Sequence, residues 1–289
     1  MENTTENKPN RPEIVWHYTK METLEKIFPP EYLKNGKENG EYKDGDINFR
    51  LTNIKFKNDP SEGLVFRNFF EDNRKDISSH LPENLQEIVS NEPIKEENID
   101  LDKYVFSATC LKDSFVFWNA EYAGLNGISI GIKNYTSSFG VPFQKVIYLD
   151  SYNKDEFIKQ ISEYIYNIYS FNKYFFKNNS FDEKDLVQIS LNCFSCLCKQ
   201  SSWKGEEEMR FIRHKDDVSD IKIEVIENKI RKSYYEYFDK KLINYIILGP
   251  ECNGEQVNAV REYLKANKYI TADNEIDVSR SHAFDLRHK

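Results

Sequence analysis

Apolar and polar residues alternate through Ile47, Phe49 and Leu51, interleaved with Asn48, Arg50 and Thr52. A period of two predicts a half-buried strand with Arg50 on its polar face. Gly127–Ile132, Glu208–Arg213 and Ile221–Ile226 repeat the pattern. Ile14–Thr19, Tyr104–Thr109, Lys145–Leu149 and Ile243–Leu248 are further strand candidates. Elsewhere a helical period takes over. Phe157, Ile161, Tyr164, Ile165 and Ile168 share one stripe of a helix over Asp155–Phe176, and Asp182–Lys199 reads as a second helix. Thr23–Phe28 is a short helix stopped by Pro29 and Pro30. Phe115, Trp118 and Tyr122 take helical spacing within Ser114–Tyr122. Asn58-Asp59-Pro60-Ser61-Glu62 is a turn that launches a helix, with Asp59 as its cap and Glu62 completing the capping box. Glu71–Asp102 is charged and only weakly periodic, an insertion or a partly mobile flank. Ile243–Leu248, Gly249-Pro250 and a helix over Glu255–Lys265 form a strand–turn–helix unit.

Strands at wide spacing with helices among them predict an α+β fold on a mixed sheet. No GxGxxG or Walker loop is present. The expected organisation is a flexible tail, residues 1–11, followed by a single domain, residues 12–289, with helical insertions near 62–100 and 153–200. Forty Lys+Arg against 48 Asp+Glu give 40 − 48 = −8, which argues against a broad basic footprint on duplex nucleic acid. An aromatic content of 14% excludes a disordered acidic chain. No apolar run approaches the roughly 18 residues of a membrane span, so no membrane partner is expected. The polar, acid-bearing start is neither a secretory signal nor a transit peptide, and the expected compartment is the cytoplasm. Five cysteines do not make a disulfide framework. Cys193-x-x-Cys196 has no second CxxC or HxxxH to complete a zinc site, so these thiols are expected as buried filler and no metal is expected.

Three patches could carry chemistry. Trp16-His17-Tyr18-Thr19 places a histidine at a strand end beside two hydroxyl side chains, suited to stacking and paired hydrogen bonds. Phe106-Ser107-Ala108-Thr109 puts two small hydroxyls, Ser107 and Thr109, on one strand face. Trp203-Lys204-Gly205-Glu206-Glu207-Glu208-Met209-Arg210 puts Glu206, Glu208 and Arg210 on one face if the strand already runs there. Two close carboxylates repel, and an arginine beside them offsets part of that cost.

The order of a strand histidine, a Ser-x-Thr strand and a Glu-x-Glu strand resembles the ADP-ribosyltransferase superfamily. A closer resemblance is to domain-of-unknown-function family 2971, a mostly bacterial group. It is carried by His17-Tyr18, Asn58-Asp59-Pro60 with Glu62, the Ser107 strand with Trp118 and Tyr122, the Gly127–Gly131 strand, and Trp203 with Glu206, Glu208 and Arg210. The looser resemblance implies a mixed, split sheet that holds NAD as substrate. It also implies a transferase or NAD glycohydrolase acting on an unidentified protein or nucleic-acid acceptor, of the kind that serves as a toxin or antiviral defence effector. An Arg-specific transferase would carry arginine on its first strand, where this chain has His17.

On that reading Glu208 holds the nicotinamide ribose and favours the oxocarbenium ion, and Glu206 orients the acceptor. His17 binds the adenosine ribose, with Thr19 beside it. Tyr18 or Trp118 stacks on nicotinamide, Ser107 and Thr109 shape the cleft, and Arg50 meets the pyrophosphate. His17, Ser107 and Glu208 are therefore expected in one concave cleft, and Glu208 on the opposite face of the sheet from His17 would overturn the NAD site drawn on these residues. Glu208→Gln is expected to stop turnover with hardly any loss of stability. Two other classes compete: a metal-dependent nuclease built on Asp59, Glu62, Glu206 and Glu208, and a non-catalytic partner-binding module with Trp/Tyr-rich faces.

Overall fold

The protein is described by a computed structural model covering residues 12–34, 46–54, 64–91, 103–134, 143–149, 153–175, 183–214, 221–226 and 229–283. The expected tail and the Asn58–Glu62 turn lie outside these residues. The chain runs through β1 (Ile14–Thr19), α1 (Leu24–Ile27), α2 (Glu31–Lys34), β2 (Asp46–Asn53), α3 (Leu64–Ser79), α4 (Glu83–Asn91), β3 (Lys103–Thr109) and β4 (Ile128–Lys133). It continues through β5 (Gln144–Lys145), β6 (Ile147–Leu149), α5 (Lys154–Phe175), α6 (Glu183–Ser195), β7 (Cys198–Gln200), β8 (Glu208–His214) and β9 (Lys222–Ile226). It ends with β10 (Lys229–Asp239), β11 (Ile243–Leu248), α7 (Gly254–Ala266) and β12 (Asp277–Arg280). The α+β class with a mixed sheet is as expected.

Ten strands form one sheet with the path β12-β11-β4-β1-β3-β2-β10-β9, to which β8 and β5 attach beside β3. Among the described residues only the β11–β12 pair in it is parallel. β3 is the branching strand. One of its edges pairs with β8 from Lys103 to Thr109. The other is shared: β2 takes Tyr104 and Val105, and β1 takes Thr109. Among the described residues no ladder pair joins Phe106–Ala108 to β1 or β2, so the sheet splits there.

Pleating sorts side chains to two faces. One face is the main core: Val15, Phe49, Leu51, Phe106, Ala108, Ile130, Met209 and Phe211 pack with Leu24 and Ile27 of α1 and Val260 and Leu264 of α7. Helix α7 starts at a complete capping box, Asn253 with Gln256, which stabilises its first turn. The opposite, outer face has two covers. Phe117, Trp118 and Ala123, from the 111–125 segment, pack on Trp16, Tyr18 and Ile247. The other cover is a helical layer with its own core, including Phe66 and Phe70 of α3, Leu85 of α4, Ile161 of α5 and Phe194 of α6.

Several elements differ from the sequence reading. Within the charged Glu71–Asp102 stretch, α3 continues to Ser79 and α4 spans Glu83–Asn91. Their sparse apolar positions, Ile77, Leu81, Leu85 and Val89, are all buried against other helices. The expected helix over Ser114–Tyr122 is only a 3-10 turn, Phe115–Trp118. Helix α6 stops at Ser195, and Cys198–Gln200 pairs with β6 as a separate parallel two-stranded sheet.

Candidate functional site

The crossover sheet explains why two glutamates meet cations at the outer face. In the β6–β7 pair, Ile147 stands opposite Cys198 and Tyr148 opposite Lys199. Cross-strand partners point the same way. Ile147 and Cys198 join the helical core, so Tyr148 and Lys199 point the other way, towards β8. The chain then makes a 3-10 turn, Ser201–Glu206, and enters β8 through Glu207, whose φ of +42° is left-handed. That turn lets Glu206, still outside the strand, bring its side chain to the same cluster as Glu208.

Lys199 Nζ donates to Glu206 Oε2 at 2.6 Å and to Glu208 Oε2 at 3.3 Å. Arg210 grips Glu208 in a fork, Nε to Oε1 at 2.8 Å and Nη2 to Oε2 at 3.0 Å. Its Nη1 donates to the Cys196 carbonyl at 2.6 Å. Tyr122 donates its hydroxyl to Glu206 Oε1. The Tyr148 hydroxyl accepts from the Glu208 amide at 2.8 Å. Burial foremost pushes the Tyr122 hydroxyl up, followed by its bond to Glu206; burial does the same for Tyr148. Both phenols therefore remain neutral. Thr109 Oγ1 donates to the Glu206 carbonyl at 2.6 Å and ties the turn to β3. Glu206, Glu208, Lys199 and Arg210 are all buried, and Arg210 has 0% exposure. The rim is aromatic and half-buried: Tyr122, and Trp203 with Lys199 Nζ 4.6 Å from its ring centre.

The register assigns each expected residue to a face. Trp16 lies opposite Thr109, and Thr109 opposite Glu208, so all three share the outer face. Ser107 lies opposite Arg210 and joins them. Thr52 lies opposite Val105, which shares the face of Ser107, so Arg50 also points outward, and it is exposed. Tyr18, two residues from Trp16, follows the same face. The structure thus gathers Tyr18, Arg50, Ser107, Thr109, Glu206 and Glu208 on one side of the sheet.

His17 and Thr19 fall on the other side, so His17, Ser107 and Glu208 do not share a cleft and the NAD site drawn on His17 with Glu208 is overturned. The His17 ring packs against Phe106 at 4.4 Å and Phe49 at 5.9 Å between centroids. Its Nδ1 bonds the Ser107 carbonyl at 2.9 Å, on the edge of β3 between the residues that pair with β2 and the one that pairs with β1. Desolvation lowers the imidazole to about 4, so it is a neutral plug in the sheet. Thr19 bonds Thr23 Oγ1 at 3.0 Å and closes the turn before α1. Trp118 also departs from its expected stacking role. It is fully buried, its Nε1 donates to Asp113 Oδ1 at 2.9 Å, and Tyr18 packs edge-on against it. Tyr18 accepts from the Ser114 amide at 2.8 Å and donates to the Leu111 carbonyl at 3.1 Å, and burial pushes its hydroxyl up to about 12. Both aromatic rings are therefore committed to holding the 111–125 segment.

The chain matches no family model, no curated protein and no solved structure. Function is therefore argued from the site itself. Lys199 and Tyr148 were not foreseen. Two buried carboxylates beside a single arginine leave one negative charge uncompensated, and that imbalance is the sequence signal for a second cation such as Lys199. Among the described residues no group of three His, Cys, Asp or Glu side chains is arranged to hold a metal ion. Asp59 and Glu62, needed for the nuclease reading, lie outside the described residues.

Proposed function

We propose that the outer face is the working face of an NAD-consuming enzyme of ADP-ribosyltransferase type. The observation that supports this reading is the gathering of Glu206, Glu208, Ser107, Thr109 and Arg50 on one side of a split sheet. The reading is narrower than the family resemblance implies: it drops His17, Thr19, Tyr18 and Trp118, and it moves the catalytic role from Glu208, which Arg210 holds in a fork, to Glu206. Arg50, exposed on that face, would meet the pyrophosphate. Glu206, tied to the half-buried Tyr122 at the rim, would accept the ribose hydroxyl in place of the Tyr122 bond. Glu208, held in a fork by Arg210, would position Lys199 and, through it, Glu206. The C1′–N bond of the nicotinamide riboside breaks, and nicotinamide leaves with the electron pair. An acceptor hydroxyl or amine, or water, bonds to C1′, and its proton passes to Glu206.

The charge balance of the centre favours a second reading. Among the described residues two anions face two cations, and that balance leaves little net charge with which to steady an oxocarbenium ion. A balanced, buried cluster suits a clamp that fixes the helical layer to the sheet in a partner-binding module.

One experiment separates the two. The full chain is incubated with NAD and a mixture of protein and nucleic acid, and nicotinamide release and adduct masses are measured. Transfer chemistry predicts release by the wild type and a loss of roughly 100-fold in Glu206→Gln with the fold retained. No release by the folded wild-type protein would overturn the enzymatic reading and leave the clamp.

A further inference from the structure

The thiols at the end of α6 have a setting that simple core filler does not require. Cys193 is half-buried, whereas Cys196 and Cys198 are buried. Lys103, itself only 4% exposed, donates from Nζ to Cys193 Sγ at 3.2 Å. A part-exposed sulfur beside a buried ammonium is the electropositive setting in which reactive thiols occur. Cys196 follows three residues later, in the turn just past the end of α6, and donates its Sγ to the Asn192 carbonyl at 3.5 Å.

We propose that Cys193 and Cys196 form a peroxide-reactive thiol pair whose oxidation is transmitted to the glutamate cluster. The Cys193 sulfur attacks hydrogen peroxide, so an S–O bond forms and the O–O bond breaks. The departing hydroxide is hydrogen-bonded by Lys103 and takes the thiol proton, leaving water and a sulfenic acid. The Cys196 sulfur then displaces that hydroxyl, which leaves with the Cys196 thiol proton as a second water, giving a disulfide. Hydrogen peroxide is the oxidant throughout. Burial holds the Cys196 thiol up at about 11, with Lys103 and Arg210 offsetting part of the shift. It therefore does not react first.

Disulfide closure cannot be silent. A disulfide needs Cβ atoms about 3.5–4.5 Å apart, closer than the roughly 5–6 Å between side chains one helical turn apart, and Cys196 begins the turn that leaves α6. The turn at Cys196 must move, and its carbonyl carries Arg210 Nη1, the guanidinium that holds Glu208.

The test treats the full chain with hydrogen peroxide and follows intact mass, peptide masses and hydrogen exchange. The expected product has lost two hydrogens, maps to Cys193–Cys196 and is reversed by dithiothreitol. Exchange should rise across 196–210 in the oxidised form. Cys196→Ser should stop at a Cys193 sulfenic acid that dimedone traps, and Lys103→Met should slow its formation about tenfold. Cys110, also half-buried, is the internal reference within the wild type, so the result does not depend on the fold of any variant. Oxidation of Cys110 as fast as Cys193 would overturn the reactive site. A disulfide with unchanged exchange across 196–210 would overturn its link to the glutamates.

Discussion

Arg210 reaches Glu208 with two nitrogens and the Cys196 carbonyl with a third, while having no exposed surface. A buried guanidinium in this state depends on its carboxylate. Removing one partner of such a pair leaves an uncompensated charge. Glu208→Gln should therefore lose about 3 kcal/mol of stability, read in a denaturant melt. This departs from the expectation from sequence, in which the loss of one of two crowded carboxylate charges would hardly lower stability. Lys199 and Arg210 together already balance both anions. The double change Glu208→Leu with Arg210→Met should cost less than Glu208→Gln alone, since it removes both charges at once. A double variant at least as unstable as the single would show that packing, rather than charge pairing, sets the cost. His17 gives a separate residue-scale prediction. Its ring is enclosed by Phe49 and Phe106, and its folded value of about 4 lies below the ordinary 6.5. For a base so depressed, the unfolded chain takes up the proton first as pH falls. The stability from the neutral ring is complete above pH 6.5 and is lost as pH falls towards 4. The loss should approach roughly 3 kcal/mol relative to His17→Gln, which keeps a donor for Ser107 but does not titrate. Parallel melts of both proteins across that window check it; superimposed profiles would show that His17 is not held neutral.

At the scale of elements, the strands were the most legible part of the sequence. β1 and β11 have the expected bounds: β-branched and aromatic residues dominate Ile14–Thr19 and Ile243–Leu248, and Gly249-Pro250 follows the second. The pairing of Ser107 with Thr109 on one face also followed from period two. What period two could not give was the relation between strands. The assignment of His17 and Glu208 to opposite faces depends on two registered pairs, Trp16 with Thr109 and Thr109 with Glu208, and such pairing is a tertiary event. The 11-residue β10 was missed because Lys229–Asp239 mixes charges and tyrosines without clean alternation. It forms because β2 and β9 supply ladders on both its edges. Glu206 was legible as a candidate, but Lys199 was hidden inside a presumed helix that ends four residues earlier. The 111–125 segment reaches the glutamates through Tyr122, and that contact gives the prediction at this scale. Tyr122→Phe removes a donor from a buried carboxylate and should cost about 1–2 kcal/mol. Hydrogen exchange should rise across residues 119–124, while Trp118, Tyr18 and Asp113 keep the rest of the segment in place. Unchanged exchange there would mean that the Tyr122 bond does not hold the segment.

For the whole molecule, the question is what the meeting of three layers is built to hold. The main core lies under one face of the sheet, the helical layer has a core of its own, and the two are joined across the outer face at Lys199, Glu206, Glu208 and Arg210. Among the described residues no helix is long and apolar enough to cross a membrane. The competing readings differ in what should bind at the outer face. A magnesium nuclease needs carboxylate oxygens open to the ion, yet Glu208 meets Arg210 and Lys199, and Glu206 meets Lys199 and Tyr122. Magnesium would have to displace ammonium and guanidinium groups from buried sites, which is costly. NAD requires no such exchange at Arg50, which is exposed on the same face. A ligand that binds only the folded state stabilises it by mass action, by about 2.7 kcal/mol at a hundred times its dissociation constant. NAD should accordingly raise the melting temperature in a concentration-dependent way, and Arg50→Ala should weaken that shift without altering the melt of the free protein. Magnesium and chelators should leave the melt where it is. A magnesium-dependent rise with none from NAD would transfer the site to the nuclease reading and point to Asp59 and Glu62 as the missing ligands. A melt that responds to neither would favour the clamp, with the Trp203 and Tyr122 rim as the surface to test against partners.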